Sequence, residues 1–149
     1  MKIIRLIAIC LISALTVGLS QASAQTELET INQQLEKAMV RETSLTDEDI
    51  KLYLLNVEPI YRLRFEPDRL PEVIKAIGGW SENRFAYVTT KISVGMSLIL
   101  RPDDPRNAGI PAFTRPNQQE LALLRRNQDN LTRAIEAVQT RYATANSGD

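Results

Sequence analysis

Apolar residues recur at intervals of three and four along much of the chain, a spacing typical of amphipathic helices. The first such stretch runs from Thr26 to about Glu42, and its apolar positions are Leu28, Ile31, Leu35 and Met39. The last stretch begins at Asn117. Its stripe, which we call the seam, contains one polar position, Gln128, and consists of Leu121, Leu124, Gln128, Leu131, Ile135, Val138 and Tyr142. Residues 82–100 are apolar on most of the helix circumference, which predicts a central, buried helix. The pattern therefore predicts an all-α fold, a compact bundle of four to five helices with residues 82–100 at its centre.

Residues that cap helices precede these apolar stretches. Four of them stand at predicted helix starts: Thr26, Thr46, Ser81 and Asn117. Each can offer a side-chain oxygen to the free backbone N–H groups of the first turn. Glu29 and Glu120 follow three residues after a cap, which is the spacing of a capping box. Trp80 is placed to pack against Phe85 across the cap between them. Helices are therefore expected to begin next to each of these caps.

Prolines and glycines interrupt the helical pattern. Pro59 lacks a backbone donor and is expected to end or kink the second helix. Pro71 suits the first turn of a short helix that Gly78 and Gly79 close. Residues 60–65 are compatible with either helix or extended structure. If the side chains of this segment alternate between the interior and solvent, the inward ones are Tyr61, Leu63 and Phe65.

Residues 101–116 contain four prolines, at positions 102, 105, 111 and 116, together with Gly109. No regular element is expected there, because proline removes backbone donors and restricts its neighbours. Long ordered loops are often functional. We call this segment the interaction loop, and its candidate contact residues are Arg101, Asp103, Asp104, Arg106, Ile110, Phe113 and Arg115.

The N-terminus has the three parts of a cleavable signal peptide. Lys2 and Arg5 form a basic region, an apolar run of 14 residues follows from Leu6 to Leu19, and Ala22-Ser23-Ala24 provides a cleavage site. The run is shorter than the roughly 20 residues that a membrane-spanning helix needs. We therefore expect residues 1–24 to be removed and residues 25–149 to act as a single helical domain in the periplasm or outside the cell, with no membrane span.

The expected mature chain lacks the side chains of several catalytic classes. It has no histidine, and its single cysteine, Cys10, leaves with the signal peptide. Thiolate chemistry, Ser-His-Asp triads and histidine-containing zinc sites are thereby excluded. Loss of Lys2 and Arg5 leaves 16 basic residues against 18 acidic ones, a net charge of −2. A negative net charge argues against nucleic acid as a partner.

Two groups of polar residues lie within the predicted central helix. Thr89, Ser93 and Ser97 are four residues apart and form a hydroxyl stripe. We interpret the stripe as a close helix–helix contact, and its alternative is the polar wall of an apolar ligand pocket. Tyr87 and Lys91 share the Y-x-x-x-K spacing of the catalytic pair in short-chain dehydrogenases, but the chain has no glycine-rich dinucleotide loop. Their polar tips are instead expected to reach water.

Acidic residues cluster at two further places. Asp47-Glu48-Asp49 lies at a predicted helix start, where the helix dipole stabilises negative charge. Asp103 and Asp104 lie in a turn between prolines. Neither cluster has the alternating oxygen ligands and distal glutamate of a calcium-binding loop. We therefore expect neither a metal ion nor a cofactor.

Three functions follow from these patterns. The first is a non-catalytic exported protein that binds another envelope protein through the interaction loop. The second is a carrier of a small apolar ligand, held in the bundle interior beside the hydroxyl stripe. The third is a carboxylate-based hydrolase, whose clustered acids are Glu58, Glu66, Asp68 and Glu72. The pattern of the seam leaves the oligomeric state open. We favour packing of the seam inside its own chain, since a small domain without disulfides needs that apolar surface.

Overall fold

Residues 21–145, the part of the chain that this computed structural model describes, contain seven α-helices and three short 3₁₀ helices. The α-helices are α1 (Gln21–Met39), α2 (Asp47–Leu55), α3 (Val57–Arg62), α4 (Leu70–Ile77), α5 (Glu82–Leu100), α6 (Gln118–Arg126) and α7 (Gln128–Ala145). The 3₁₀ helices are Pro67–Arg69, Pro105–Gly109 and Ala112–Thr114. No residue from 21 to 145 lies in a strand, so the predicted all-α fold is confirmed.

Local capping signals place several helix starts where the sequence predicts them. The Thr46 hydroxyl accepts the Asp49 N–H at 3.2 Å, and the Asp49 carboxylate accepts the Thr46 N–H at 2.9 Å. The Ser81 hydroxyl accepts the Arg84 N–H at 3.0 Å at the start of α5. Gly78 follows α4 with a φ of 66°, a conformation that favours glycine. These helices are bounded by contacts within four residues.

α1 begins five residues earlier than expected, at Gln21 rather than near Thr26. No proline or glycine lies in residues 21–25, so the helix continues through them. The cleavage motif at Ala22–Ala24 therefore lies in the first turns of α1. The basic and apolar parts of the predicted signal peptide lie outside the described residues, as do the side chains of Leu28 and Ile31.

Two predicted helices are each divided at an asparagine, which explains why the helices outnumber the four to five expected. α2 ends at Leu55 with Asn56 as its cap, and Pro59 lies inside the next helix, α3, so the expected interruption occurs before the proline rather than at it. The predicted last helix is divided into α6 and α7 at Asn127, and this division was not expected. The side-chain amide donates to the carbonyl four residues earlier in both cases, from Asn56 to Leu52 at 2.8 Å and from Asn127 to Leu123 at 3.0 Å. Each side chain thus competes with the helical backbone for that carbonyl.

Contacts divide the chain into two compact units, and the boundary within α5 lies between Tyr87 and Val88. The described part of the first unit comprises residues 21–43 and Arg62–Tyr87. Within it, the rings of Trp80 and Phe85 lie 6.2 Å apart in an edge-to-face arrangement, which confirms the predicted contact. Leu63 is buried as expected, but Phe65 is 56% exposed. The expectation for Phe65 was wrong because residues 57–62 are helical and a turn follows, so side chains do not alternate there.

The second unit comprises Ser44–Tyr61 and the described residues from Val88 onward. α2 packs against α7, Glu58 pairs with Arg141, and the rings of Tyr61 and Tyr142 lie 5.4 Å apart. The residues that are completely inaccessible to solvent in this unit include Val88, Ile92, Leu124 and Leu131. Two of these, Leu124 and Leu131, belong to the seam, so its apolar edge is buried within its own chain.

Candidate functional site

A buried lysine joins α5 to the interaction loop. Lys91 is only 7% exposed, and its ammonium donates to the carbonyls of Phe113 at 3.1 Å and Arg115 at 2.6 Å. The Glu120 carboxylate lies 3.9 Å from the same nitrogen. Burial lowers the pKa of the Lys91 ammonium, and the nearby carboxylate opposes this effect. The expectation that Lys91 and Tyr87 reach water was wrong, since Tyr87 is also only 6% exposed. The loop carbonyls supply Lys91 with partners that are 22 and 24 residues away in the chain.

Glu120 connects the starts of two helices. The carboxylate is 1% exposed, and it accepts the N–H of Asn117 at 2.9 Å and the N–H of Leu45 at 3.0 Å. The first bond completes the predicted capping box of α6, in which the Asn117 side chain accepts the Glu120 N–H at 2.9 Å. The second reaches the residue before the cap of α2, where Ser44 also accepts the Asn117 side-chain amide at 3.1 Å. A buried charge is tolerated only when it is paired and hydrogen-bonded, and Glu120 meets both conditions.

Hydrogen bonds within the interaction loop hold its first half. Asn107 is 9% exposed, and its side-chain amide donates to the carbonyls of Arg101 at 2.7 Å and Pro102 at 3.3 Å. The Arg115 guanidinium donates to the carbonyls of Asn107 at 2.7 Å and Ile110 at 3.2 Å. The loop was expected to contain no regular element, but it contains two short 3₁₀ helices. Proline is compatible with these short turns because each has its proline at the start or directly before it.

Asp104 caps the first of these turns. Its carboxylate accepts the N–H of Arg106 at 2.9 Å and pairs with the Arg106 guanidinium at 2.6 Å. These hydrogen bonds lower the pKa of the Asp104 carboxyl from 3.8 to about 2. The short turn is therefore held by a carboxylate that stays ionised at all but very acidic pH.

The predicted contact residues lie in this single ordered loop with different exposures. Arg101, Asp103, Arg106 and Arg115 are exposed, whereas Asp104, Ile110 and Phe113 are half-buried. Leu100, at the end of α5, adds an apolar side chain that is 47% exposed. Sequence reasoning missed Lys91, Glu120 and Asn107 as the residues that support the loop. The available signals were a lysine within an apolar helix and the capping box at Glu120.

The hydroxyl stripe does not lie uniformly in the interior. Ser93 is exposed, and Thr89 and Ser97 are half-buried. Gly95, which lies between Ser93 and Ser97, is buried at a close contact of α5 with its neighbours. A methyl group there would overlap the Leu124 side chain and lie 3.0 Å from Cγ of Pro116. Gly95 is therefore a small residue of α5 that allows Leu124 and Pro116 to approach its backbone closely.

Three of the four acids considered for hydrolysis are paired with arginines. Glu66 and Glu72 each accept a hydrogen bond from Arg69 at 3.1 Å, and Glu58 pairs with Arg141. Among residues whose side chains are described, no three potential metal ligands come together. Within the described range, no helix has the length and apolar character needed to cross a membrane.

Comparison of the chain with models of protein families, with curated proteins and with solved structures finds no match. The fold and the site together define only a class of protein. This class is an all-α protein whose second unit presents an ordered, proline-rich loop supported by a buried lysine.

Proposed function

We propose that the protein is a non-catalytic, exported helical protein that binds another envelope protein through the interaction loop. One observation carries the proposal. Although the loop is largely exposed, Lys91, Asn107 and Arg115 each donate two hydrogen bonds to its carbonyls. A loop that is already ordered loses little conformational entropy when a partner binds.

The composition of the loop surface also suits a protein partner. Exposed arginines at positions 101, 106 and 115 lie in the same segment as the partly exposed apolar side chains of Leu100 and Phe113. Arginine and aromatic residues are enriched in protein interfaces, where they combine charge with apolar contact area. The chain contains no histidine, which is the side chain that most often transfers protons near neutral pH, and this argues against proton-transfer catalysis.

The two other functions have less support. A ligand carrier would need the hydroxyl stripe to face an interior cavity, and Ser93 is exposed. A hydrolase would need two carboxylates that face each other across a cleft, but Glu66 and Glu72 both accept hydrogen bonds from the exposed Arg69. Neither function is supported by a specific contact of the kind that orders the interaction loop.

Site-specific photocrosslinking in the producing cell tests the proposed surface. A photoreactive amino acid replaces Asp103 or Arg106 in the loop and, as matched controls, the exposed Asp129 or Arg133 on α7. The loop positions should yield a crosslinked species of one mass that the α7 positions do not yield. Mass spectrometry then identifies the partner. Identical crosslinking from both regions, or none from the loop, would reject the interaction loop as the binding surface.

Export is tested separately by intact-mass analysis of protein from the cell envelope. The A-x-A motif predicts cleavage between Ala24 and Gln25, leaving residues 25–149. Recovery of the chain in the soluble cytoplasmic fraction with residues 1–24 still attached would contradict export. It would leave the loop as a binding surface for a cytoplasmic partner.

A further inference from the structure

We infer that Lys91 is the positioning residue of the interaction loop, because its ammonium joins the carbonyls of Phe113 and Arg115 to the buried face of α5. The role in partner binding rests on the proposed function. The effect of Lys91 on loop order does not, and it can be measured on the isolated protein.

The position of Lys91 within α5 allows its effect on the loop to be distinguished from an effect on the core. Its neighbours Val88 and Ile92 are completely buried, so Lys91 lies in a largely apolar part of α5. A charged group at such a site requires compensating interactions, and two loop carbonyls and the Glu120 carboxylate provide them for Lys91. Removal of one partner of a buried ion pair destabilises a core when it leaves the other charge uncompensated. Glu120 keeps its hydrogen bonds from the N–H groups of Leu45 and Asn117 when Lys91 is replaced, and methionine has a volume similar to that of the lysine side chain. Lys91→Met should therefore preserve the helices and remove the connection to the loop.

Two loop amides report directly on that connection. The N–H of Thr114 donates to the Pro111 carbonyl and the N–H of Arg115 to the Ala112 carbonyl, both at 3.1 Å, in the 3₁₀ turn that Lys91 contacts. The N–H of Leu131 donates to the Asn127 carbonyl at 3.0 Å in α7 and reports on the core. Hydrogen exchange of these amides distinguishes local opening of the loop from unfolding of the whole chain.

In Lys91→Met, the Thr114 and Arg115 amides should exchange at least about tenfold faster, as expected for the loss of hydrogen bonds to a charged group. Exchange of the Leu131 amide should stay unchanged. Lys51→Met is the matched control, since Lys51 is an exposed lysine on α2, and it should change none of the three amides. Unchanged exchange at Thr114 and Arg115 in Lys91→Met would overturn the inference. So would an equal increase at all three amides or a failure to fold, because either result would assign Lys91 to global stability.

Chemical rescue tests whether the ammonium itself is required. Cys10 is the only cysteine in the chain, so Lys91→Cys in a Cys10→Ser background offers one thiol. Alkylation of the denatured protein with 2-bromoethylamine, followed by refolding, restores an ammonium at nearly the original distance. Iodoacetamide adds a neutral group instead. Slow exchange at Thr114 and Arg115 should return with the ammonium and not with the neutral group. Rescue by both reagents, or by neither, would overturn the inference.

Crosslinking from Asp103 in the Lys91→Met protein separates this inference from the proposed function. Loss of the crosslinked partner together with faster exchange of the loop amides supports both. Faster exchange with no partner in either protein supports positioning by Lys91 and rejects the proposed function. An undiminished crosslink despite a disordered loop rejects the role of Lys91 in binding and leaves the proposed function standing.

Discussion

Gly95 lies where α5 meets residues of α6 and the end of the interaction loop, and substitution by alanine tests that contact. A Cβ atom at this position would overlap Cδ1 of Leu124 and lie 3.0 Å from Cγ of Pro116. Alanine is favoured over glycine inside a helix by about 1 kcal/mol. Overpacking of a filled core costs about 1–3 kcal/mol. Leu124 is completely buried and Pro116 is buried and rigid, so neither can move into solvent. We therefore expect Gly95→Ala to lower the free energy of unfolding by about 1 kcal/mol, the overpacking cost less the helical gain.

Urea denaturation followed by circular dichroism measures this change. Gly109→Ala is a suitable control because a Cβ there would meet no atom within 4 Å, and its effect should be small. In a Leu124→Ala background the overlap disappears, and Gly95→Ala should then stabilise the protein by up to about 1 kcal/mol through helix propensity. Stabilisation by Gly95→Ala in the otherwise unchanged protein would refute the reasoning, because it would mean that Leu124 can rearrange.

Three further predictions concern burial and charge. Leu131→Asp places an unpaired charge at a completely buried seam position. It should cost about 3–5 kcal/mol and leave the chain unfolded by circular dichroism at every concentration, whereas a folded monomer would contradict burial of the seam. The Asp104 carboxyl should titrate near pH 2 by carbon NMR and shift toward 3.8 in Arg106→Gln; a wild-type midpoint near 3.8 would contradict the ion pair. Because the folded pKa of Lys91 is lowered, the unfolded chain binds its proton more strongly between that pKa and 10.5. The unfolding free energy of the wild type relative to Lys91→Met should therefore rise with pH in this window, by at most about 1.4 kcal/mol per pH unit, and a decrease would contradict burial of the ammonium.

Local chemistry determined much of the helical framework from the sequence alone. The caps at Thr46, Ser81 and Asn117 bond to N–H groups three residues later, and Gly78 ends α4 through its own backbone conformation. Such contacts require no knowledge of the rest of the fold, since both partners lie within one turn. The start of α5 at Glu82 was predicted correctly for this reason, and its end at Leu100 lies two residues before Pro102.

The spacing of apolar residues did not predict where a helix is interrupted when a side-chain amide competes with the backbone for a helical carbonyl. The seam spacing continues through Asn127, yet the amide of that side chain takes the Leu123 carbonyl and divides the helix. The same competition occurs at Asn56, where Pro59 had predicted an interruption but not the role of the asparagine amide. Asparagine is compatible with both a continuous and an interrupted helix, so spacing alone does not decide between them.

The support of the interaction loop was decided by the tertiary structure. Lys91 is a lysine on an apolar helix in the sequence, and only the folded chain brings the carbonyls of residues 113 and 115 to its ammonium. The Glu120 carboxylate was recognised as a cap of its own helix, but its bond to the Leu45 N–H spans 75 residues. Sequence spacing predicts hydrogen-bond partners that lie within one helix or turn, because the backbone geometry of that element brings them together. Bonds between distant segments depend on how those segments pack, and the same burial that brings their polar groups together makes those bonds necessary.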